Sequence, residues 1–347
     1  MTEEKSKMRV AVGMSGGVDS SAAAALLIDQ GCEVIGVTAY LWSTDVSRAL
    51  KVAEHLGIRH HVVEAEEFFK ERIVDPFVNE YARGRTPSPC VECNRLVKFG
   101  VLLRKALEMG CTHIATGHYA QLERQPDGWH LLRGRDAHKD QSYFLHRLGQ
   151  EQMNHVLFPV GTMTKPEVID YARQRKLPVE YGSESQDLCF IPDGGYASFL
   201  EKMLPALKKE GAIVDVRGKE LGRHGGFHQF TVGQREGIGV ASKTRLYVKE
   251  VRAESNVVVV GTHEEAMSRE CLVKDVCWIA EKTPAADALY SVRLRYRHKG
   301  SEARIEMLDG ERMRVVFTEP QFAVTPGQAA VVYRGDEVLG GGWIEST

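Results

Sequence analysis

The chain has 347 residues, 43% hydrophobic and 27% charged, with a formal net charge of −2 and seven cysteines. That length suffices for two or three domains around buried cores, and the near-neutral total carries no basic tail to announce a polyanion partner, although a basic stripe can hide inside it. MTEEKSKMRVAVG lacks the apolar core of a signal peptide and no stretch approaches membrane-spanning length, so a cytoplasmic chain with no membrane partner is expected, its odd set of cysteines reduced. In chain order, Arg9–Gly13 reads as an apolar strand and Val18–Gln30 as an Ala/Leu-rich helix closed by Gly31. Glu33–Leu41 reads as a strand, Ser47–Leu56 as a helix and His60–Ala65 as a strand. Glu66–Arg83 is helical with a break at Pro76, Leu96–Met109 is an amphipathic helix stopped by Gly110, and Thr112–Ala120 is a further strand. Helices near Lys165–Arg175 and Gly195–Leu204 follow. This βαβα order predicts an α/β fold over residues 1–205, a doubly wound, Rossmann-like parallel sheet that binds ligands at the carboxyl ends of its strands. Beyond Pro205 the chain turns to short β-branched runs such as RLYVKEVRA, NVVVVGT and MRVVFTE. They predict a small central β-rich domain at 206–270 and a C-terminal β-barrel at 271–347.

The stretch VGMSGGVDSS, residues 12–21, lies where the first strand turns into the first helix. Gly13, Gly16 and Gly17 allow a tight bend that brings backbone N–H groups to a ligand. Ser15, Ser20 and Ser21 add hydroxyl donors, and the helix N-terminus favours an anion. Asp19 is a candidate magnesium ligand, since that hard cation takes oxygen donors. No lysine follows the glycines, so this is not a Walker loop. GMSGG also matches a hydrolase nucleophile elbow, but it follows the first strand, where such an elbow sits deeper in its chain. A bare glycine-rich turn is the bland reading. Six of ten residues being Gly or Ser at one anion-ready turn weighs against it.

TPSPCVECN, residues 86–94, sets Cys90 and Cys93 three apart beside Pro87 and Pro89. A redox or sulfur-transfer pair, half a metal site, and two small residues without chemistry are all open at this level.

SGGVDSS resembles the PP-loop of the ATP pyrophosphatases, which split ATP between the α and β phosphates. TPSPCVECNRLVKFG, ATGHYAQL, KDQSYFL, QEQMNHVLFPVGTMTKPEV, SQDLCFIPDGGY, HQFTVGQREGIGV, VRLRYRH and AVTPGQAAVVYRGDEVLGGGWI resemble, in order, the blocks of the tRNA-specific 2-thiouridylase family. The resemblance implies an enzyme that uses ATP to replace the C2 oxygen of the wobble uridine with sulfur. Its partners would be tRNAs of the Lys, Glu and Gln type and a sulfur donor such as a cysteine desulfurase or a relay protein. Gly13, Met14, Ser15, Gly16, Gly17, Val18, Asp19 and Ser20 would hold ATP, with Ala39 and Gly117. Ser88, Pro89 and Cys90 would face the target base. His118, Lys139, Asp140, Gln141, Arg295, Tyr296 and Gln328 would handle tRNA. Cys93 matches the nucleophile and Cys189 the persulfide carrier. A flipped base is expected, because a stacked one exposes too little of its edge.

Each role has a plainer reading. Lys139 is one more solvated charge, Asp140 and Gln141 cap the following helix, and His118 is a satisfied buried histidine. Arg293, Arg295 and Arg297 alternate, so a strand there would put them on one phosphate-binding face. Many family members carry Asp where Cys90 stands, which leaves no carboxylate for proton transfer here; the segment STDV after Trp42 is also short. With a third thiol in hand, Cys90, Cys93 and Cys189 are expected to ligate three irons of a 4Fe–4S cluster, against a two-thiol persulfide relay and, more weakly, zinc. An amide-forming PP-loop ligase and an inactive tRNA-binding or sulfur-carrier protein are the rival functions. Cys32, Cys111, Cys271 and Cys277 read as structural, and His55, His60 and His61 show no ligand spacing.

Overall fold

The computed structural model of the chain describes residues 7–41, 44–182, 188–191, 195–280 and 283–347. Trp42 and the opening of the SQDLCF block lie outside the described residues. Strands β1 (Arg9–Gly13), β2 (Glu33–Tyr40), β3 (Arg59–Glu64), β4 (His113–Ala115), β5 (Ala120–Gln125), β6 (Gly128–Arg133) and β7 (Val156–Leu157) belong to the first half. Five of them form a sheet in the order β3-β2-β1-β4-β7, all pairs parallel. Helices α1 (Val18–Asp29) and α2 (Ser47–Leu56) cross between the first strands. Val10, Ala11 and Val12 are fully buried, as a parallel strand covered on both faces must be. The doubly wound α/β expectation stands.

Two helical regions differ from expectation. The helix does not break at Pro76. It runs as α3 (Glu66–Phe69), a π-wound turn Lys70–Val74, and α4 (Asp75–Ala82). Pro76 sits in the first turn of α4, where its missing N–H is least costly. The helix expected from Leu96 begins seven residues earlier: α5 (Pro89–Glu92), a π-wound segment Cys93–Val101, then α6 (Leu102–Glu108). Cys90 and Cys93 therefore stand on a helix that starts at Pro89.

The strand expected over Thr112–Ala120 is split. β4 ends at Ala115, residues 116–119 form a loop, and β5 starts the β5–β6 hairpin. That hairpin went unread in the sequence, and it leaves the α/β domain to pair with the barrel.

After α7 (Gln150–Met153), α8 (Lys165–Gln174) and α9 (Gly195–Met203), β8 (Gly211–Asp215), β9 (Glu220–His224), β10 (Tyr247–Arg252) and β11 (Val257–Gly261) form a sheet in the order β10-β11-β8-β9. β12 (Met267–Trp278), β13 (Tyr290–Arg293), β14 (Ser301–Met307), β15 (Met313–Phe322), β16 (Ala329–Arg334) and β17 (Glu337–Ser346) follow. Their order, β12-β15-β14-β13-β16-β17, closes through β12–β17 pairing into a six-stranded antiparallel barrel. In β14, Ala303 and Ile305 point inward between exposed Glu302, Arg304 and Glu306, the period-two pattern of a one-sided strand.

The barrel is fastened to the α/β domain. β6 pairs with β17 through Leu132–Glu337 and Leu131–Val338. One core joins Tyr143, Leu145 and Met153 to Ala329, Val331 and Tyr333. Arg293 and Asp140, 7% and 3% exposed, meet at 2.7 Å inside this seam.

Candidate active site

The loop between β1 and α1 is held by its own residues. Ser20 Oγ accepts from Ser15 N at 3.2 Å and donates to Gly17 O at 3.1 Å, and Ser21 Oγ donates to Gly17 O at 2.8 Å. Gly16 has φ +73, and a Cβ there would lie 2.4 Å from Arg48 Cβ, so only glycine fits. Gly17 caps α1 without a side chain, which leaves the first-turn N–H groups of a twelve-residue helix for an anion. From beneath, Thr38 Oγ1 donates to Met14 O at 2.6 Å and meets His60 Nε2 at 2.9 Å. His60 thus braces the loop, a role no ligand spacing announced. Ala39 follows Thr38 at the end of β2, and Gly117 lies so close to the loop that a Cβ would come 2.5 Å from the Asp19 carbonyl carbon. This donor set suits the phosphates of ATP.

Asp19 is less free than a magnesium ligand should be. Lys165 Nζ bonds its two oxygens at 2.7 and 2.8 Å, and Tyr119 OH donates to Oδ1 at 2.7 Å. The carboxylate already carries an ammonium, delivered by the first residue of α8.

At the other end of the site stand the thiols. Pro89 and Ser88 are buried, Cys93 is 9% exposed, and Cys90 is intermediate. Cys189 lies on the turn 188–191, fixed by Phe190, whose ring packs 5.6, 5.3 and 5.7 Å from those of Phe69, Phe77 and Phe199. Cys93 belongs to the same apolar cluster. Burial pushes the Cys90 thiol up to about 11 and the Cys93 thiol to about 12. Cys189 is exposed as a residue, yet crowding around its thiol pushes it up as well. In all three the largest opposing pull towards the thiolate comes from Lys98, a residue that draws no notice in the sequence inside NRLVKFG. The three thiols feel one another and one ammonium. Still, among the described residues no group of three or more His, Cys, Asp or Glu is placed to hold a metal ion, so the expected iron–sulfur ligation finds no support in this arrangement.

His118 lies between the two ends. It is 7% exposed, its Nδ1 meets Thr116 Oγ1 at 2.7 Å and its Nε2 meets Lys98 Nζ at 3.4 Å. Burial first, and Lys98 second, hold it well below the ordinary histidine range and so neutral.

The residues expected to meet tRNA divide. Asp140 is a correction: buried, it accepts from Gly134 N and Ser142 N and pairs with Arg293. The helix Ser142–Leu145 that follows has Gln141 at its N-cap with no side-chain cap bond, so the capping reading does not describe Asp140 and Gln141 either. Arg293, Arg295 and Arg297 do not share a strand face, because β13 ends at Arg293; the following turn exposes Arg295 and Arg297. The Tyr296 ring packs at a tilt against Phe144, 4.6 Å between centroids, and Gln141 Oε1 accepts from Tyr119 N at 3.0 Å. The Asp140–Arg293 pair thus brings Lys139 and Gln141 beside Arg295 and Tyr296. Gln328 lies elsewhere: its Nε2 donates to Thr86 O at 2.8 Å, tying the barrel to the approach of Ser88.

Three family models match consecutive parts of the chain: a tRNA methyl transferase HUP domain at 8–193, a tRNA methyl transferase PRC-barrel domain at 197–262 and an aminomethyltransferase beta-barrel domain at 268–344. The tRNA-specific 2-thiouridylase MnmA of Geobacter metallireducens is 48% identical over 99% of this chain and 98% of its own. That of Pelobacter propionicus is 46% identical over 97% of each. Among solved structures, U34-tRNA thiolase NcsA from Methanococcus maripaludis matches 58% of this chain and 66% of its own at 20% identity and a TM-score of 0.33, a likeness too distant to bear on the chemistry of this site.

Proposed function

The chain belongs to the tRNA-specific 2-thiouridylase family, and from that premise we propose how its residues divide the reaction. The activity is ATP-dependent sulfur transfer to tRNA uridine. The β1–α1 loop takes the phosphates of ATP on the first-turn N–H groups of α1, where Lys165, held by Asp19, adds a positive charge. Magnesium supplies charge neutralisation on the phosphate oxygens when bound. The wobble uridine enters beside Ser88, Pro89 and Cys90. Its O2 attacks the α-phosphorus and pyrophosphate leaves, so that C2 now carries AMP as a leaving group. Fixed N–H dipoles and cations lower this barrier because they are already in place as charge develops.

Sulfur follows by a two-thiol relay. Cys189 receives sulfur as a persulfide from the donor. Cys93, whose thiol rests protonated and is drawn towards the thiolate by Lys98, gives up its proton as it attacks the inner sulfur; a Cys93–Cys189 disulfide forms, and hydrosulfide is released. Hydrosulfide attacks C2, AMP departs with the old oxygen, and an external thiol reduces the disulfide for the next turnover. The observation that carries this reading is the span of residues 116–119: Gly117 lies against the phosphate loop while His118 touches the lysine beside the thiols. Adenylation and sulfur delivery thereby share one short loop.

The test uses the full chain with ATP, unmodified tRNA, a cysteine desulfurase with cysteine, and a reducing thiol. AMP, pyrophosphate and 2-thiouridine should form in equal amounts. ATP cleavage without any thiolated nucleoside would overturn the assignment. An oxygen-free preparation that is brown and holds about four irons per chain would replace the relay with a cluster.

A further inference from the structure

We propose that Lys98 is the cation that holds the transferable sulfur, as hydrosulfide, and aims it at C2 of the activated uridine; the inference rests on the two-thiol relay. The first observation is the winding of the helix. Residues 93–101 are π-wound, with Leu102 N–H donating to Val97 O across five residues. That winding stacks residue 98 on residue 93, whereas an α-helix stacks 93 on 96 and 97. Lys98 is therefore placed over Cys93 by a strained form of helix that concentrates at functional sites.

The second observation is what Lys98 lacks. Among the described residues no carboxylate pairs with it, and its hydrogen-bond partner is His118 Nε2 at 3.4 Å. An ammonium that donates to Nε2 needs that nitrogen unprotonated, so the His118 proton sits on Nδ1 and faces Thr116 Oγ1. A neutral imidazole cannot balance the charge. A half-buried cation without a counter-ion is costly, and the three thiols that feel its charge are held in the protonated form by burial. The missing partner is a small monoanion generated on the spot, and hydrosulfide is the one the relay releases there. Held on Lys98, it stays beside C2 and outcompetes water. Without that hold, water attacks C2 of the adenylated uridine, returning uridine and AMP.

The experiment uses full-length protein, ATP, unmodified tRNA and sodium sulfide as the sulfur source, and reads AMP and 2-thiouridine together. The wild-type chain should give a ratio near one. Lys98→Met, checked for folding by circular dichroism and melting, should raise the KM for sulfide by at least about tenfold. AMP should continue to form, so its ratio to 2-thiouridine rises by a similar factor. Lys98→Arg, which keeps the charge, should restore the ratio to within about threefold of wild type. If Lys98→Met fails to fold, Lys98→Gln takes its place. An unchanged KM and ratio in the neutral variant overturns the proposal. A parallel loss of AMP and 2-thiouridine overturns it too, since that assigns Lys98 to the phosphates. Failure of the wild-type chain to thiolate would instead break the underlying reading.

Discussion

In the phosphate loop, the side-chain bonds inside the turn join residues no more than five apart, from Ser15 to Ser20 and from Gly17 to Ser21, and Thr38 and His60 brace it from beneath. In the sulfur pocket, Cys93 and Lys98 come from one helix, His118 from the loop after β4, and Cys189 from a turn almost a hundred residues on, pinned by Phe190. The first region is shaped mainly by bonds within one short stretch where a strand feeds a helix, with distant residues only bracing it. The second exists only once three segments have packed, and that packing keeps its thiols protonated. Under the proposed reaction, adenylation and sulfur transfer should therefore fail separately, because one depends mainly on backbone geometry and the other on tertiary placement.

The sharpest way to separate them is a set of three substitutions. Gly16→Ala forces a Cβ into Arg48 and should cut AMP formation by about a hundredfold or more, the scale of losing placed backbone donors, taking 2-thiouridine with it. Cys93→Ala and Cys189→Ala should abolish desulfurase-driven thiolation and yet leave AMP formation measurable. A Cys189→Ala protein that forms no AMP would erase the distinction between the two ends.

Next in size is the seam behind the site. Arg293→Met strands the Asp140 carboxylate in a buried position and should cost about 3–5 kcal/mol of stability, read as a shifted urea midpoint. Adding Asp140→Leu should recover part of the loss, since replacing both charges is far less costly than orphaning one.

Acid probes the same seam. Burial holds His146 near 3 in the fold, against an ordinary 6.5. Below about pH 6.5 the unfolded chain takes up a proton that the folded chain refuses. Stability from this group is therefore present above about 6.5 and lost as pH falls towards about 3. Denaturant midpoints measured between about pH 7 and about pH 4.5 should decline, and His146→Gln should flatten that decline.

The smallest effect is on tRNA binding. Lys139→Ala and Arg295→Ala should each reduce the log–log salt slope of affinity by roughly 0.7 to 0.9. Asp140→Asn with a stable fold should leave that slope unchanged, as expected of a carboxylate that never reaches the surface.

The sequence by itself determined the β1–α1 loop, the parallel sheet and the β-rich second half, because glycine at a turn, apolar runs and period-two alternation express local physics. Through the family blocks it also singled out Cys93 and Cys189 as candidates for the sulfur chemistry. It did not determine that Cys90 and Cys93 ride a helix, that a π-wound turn sets Lys98 over Cys93, that Asp19 is spent on Lys165, or that Asp140 is buried against Arg293. The last three depend on partners between 5 and 153 residues away. A charge keeps the same letter in the sequence whether it faces water or a counter-ion, and only the packed chain supplies the distances that decide between them.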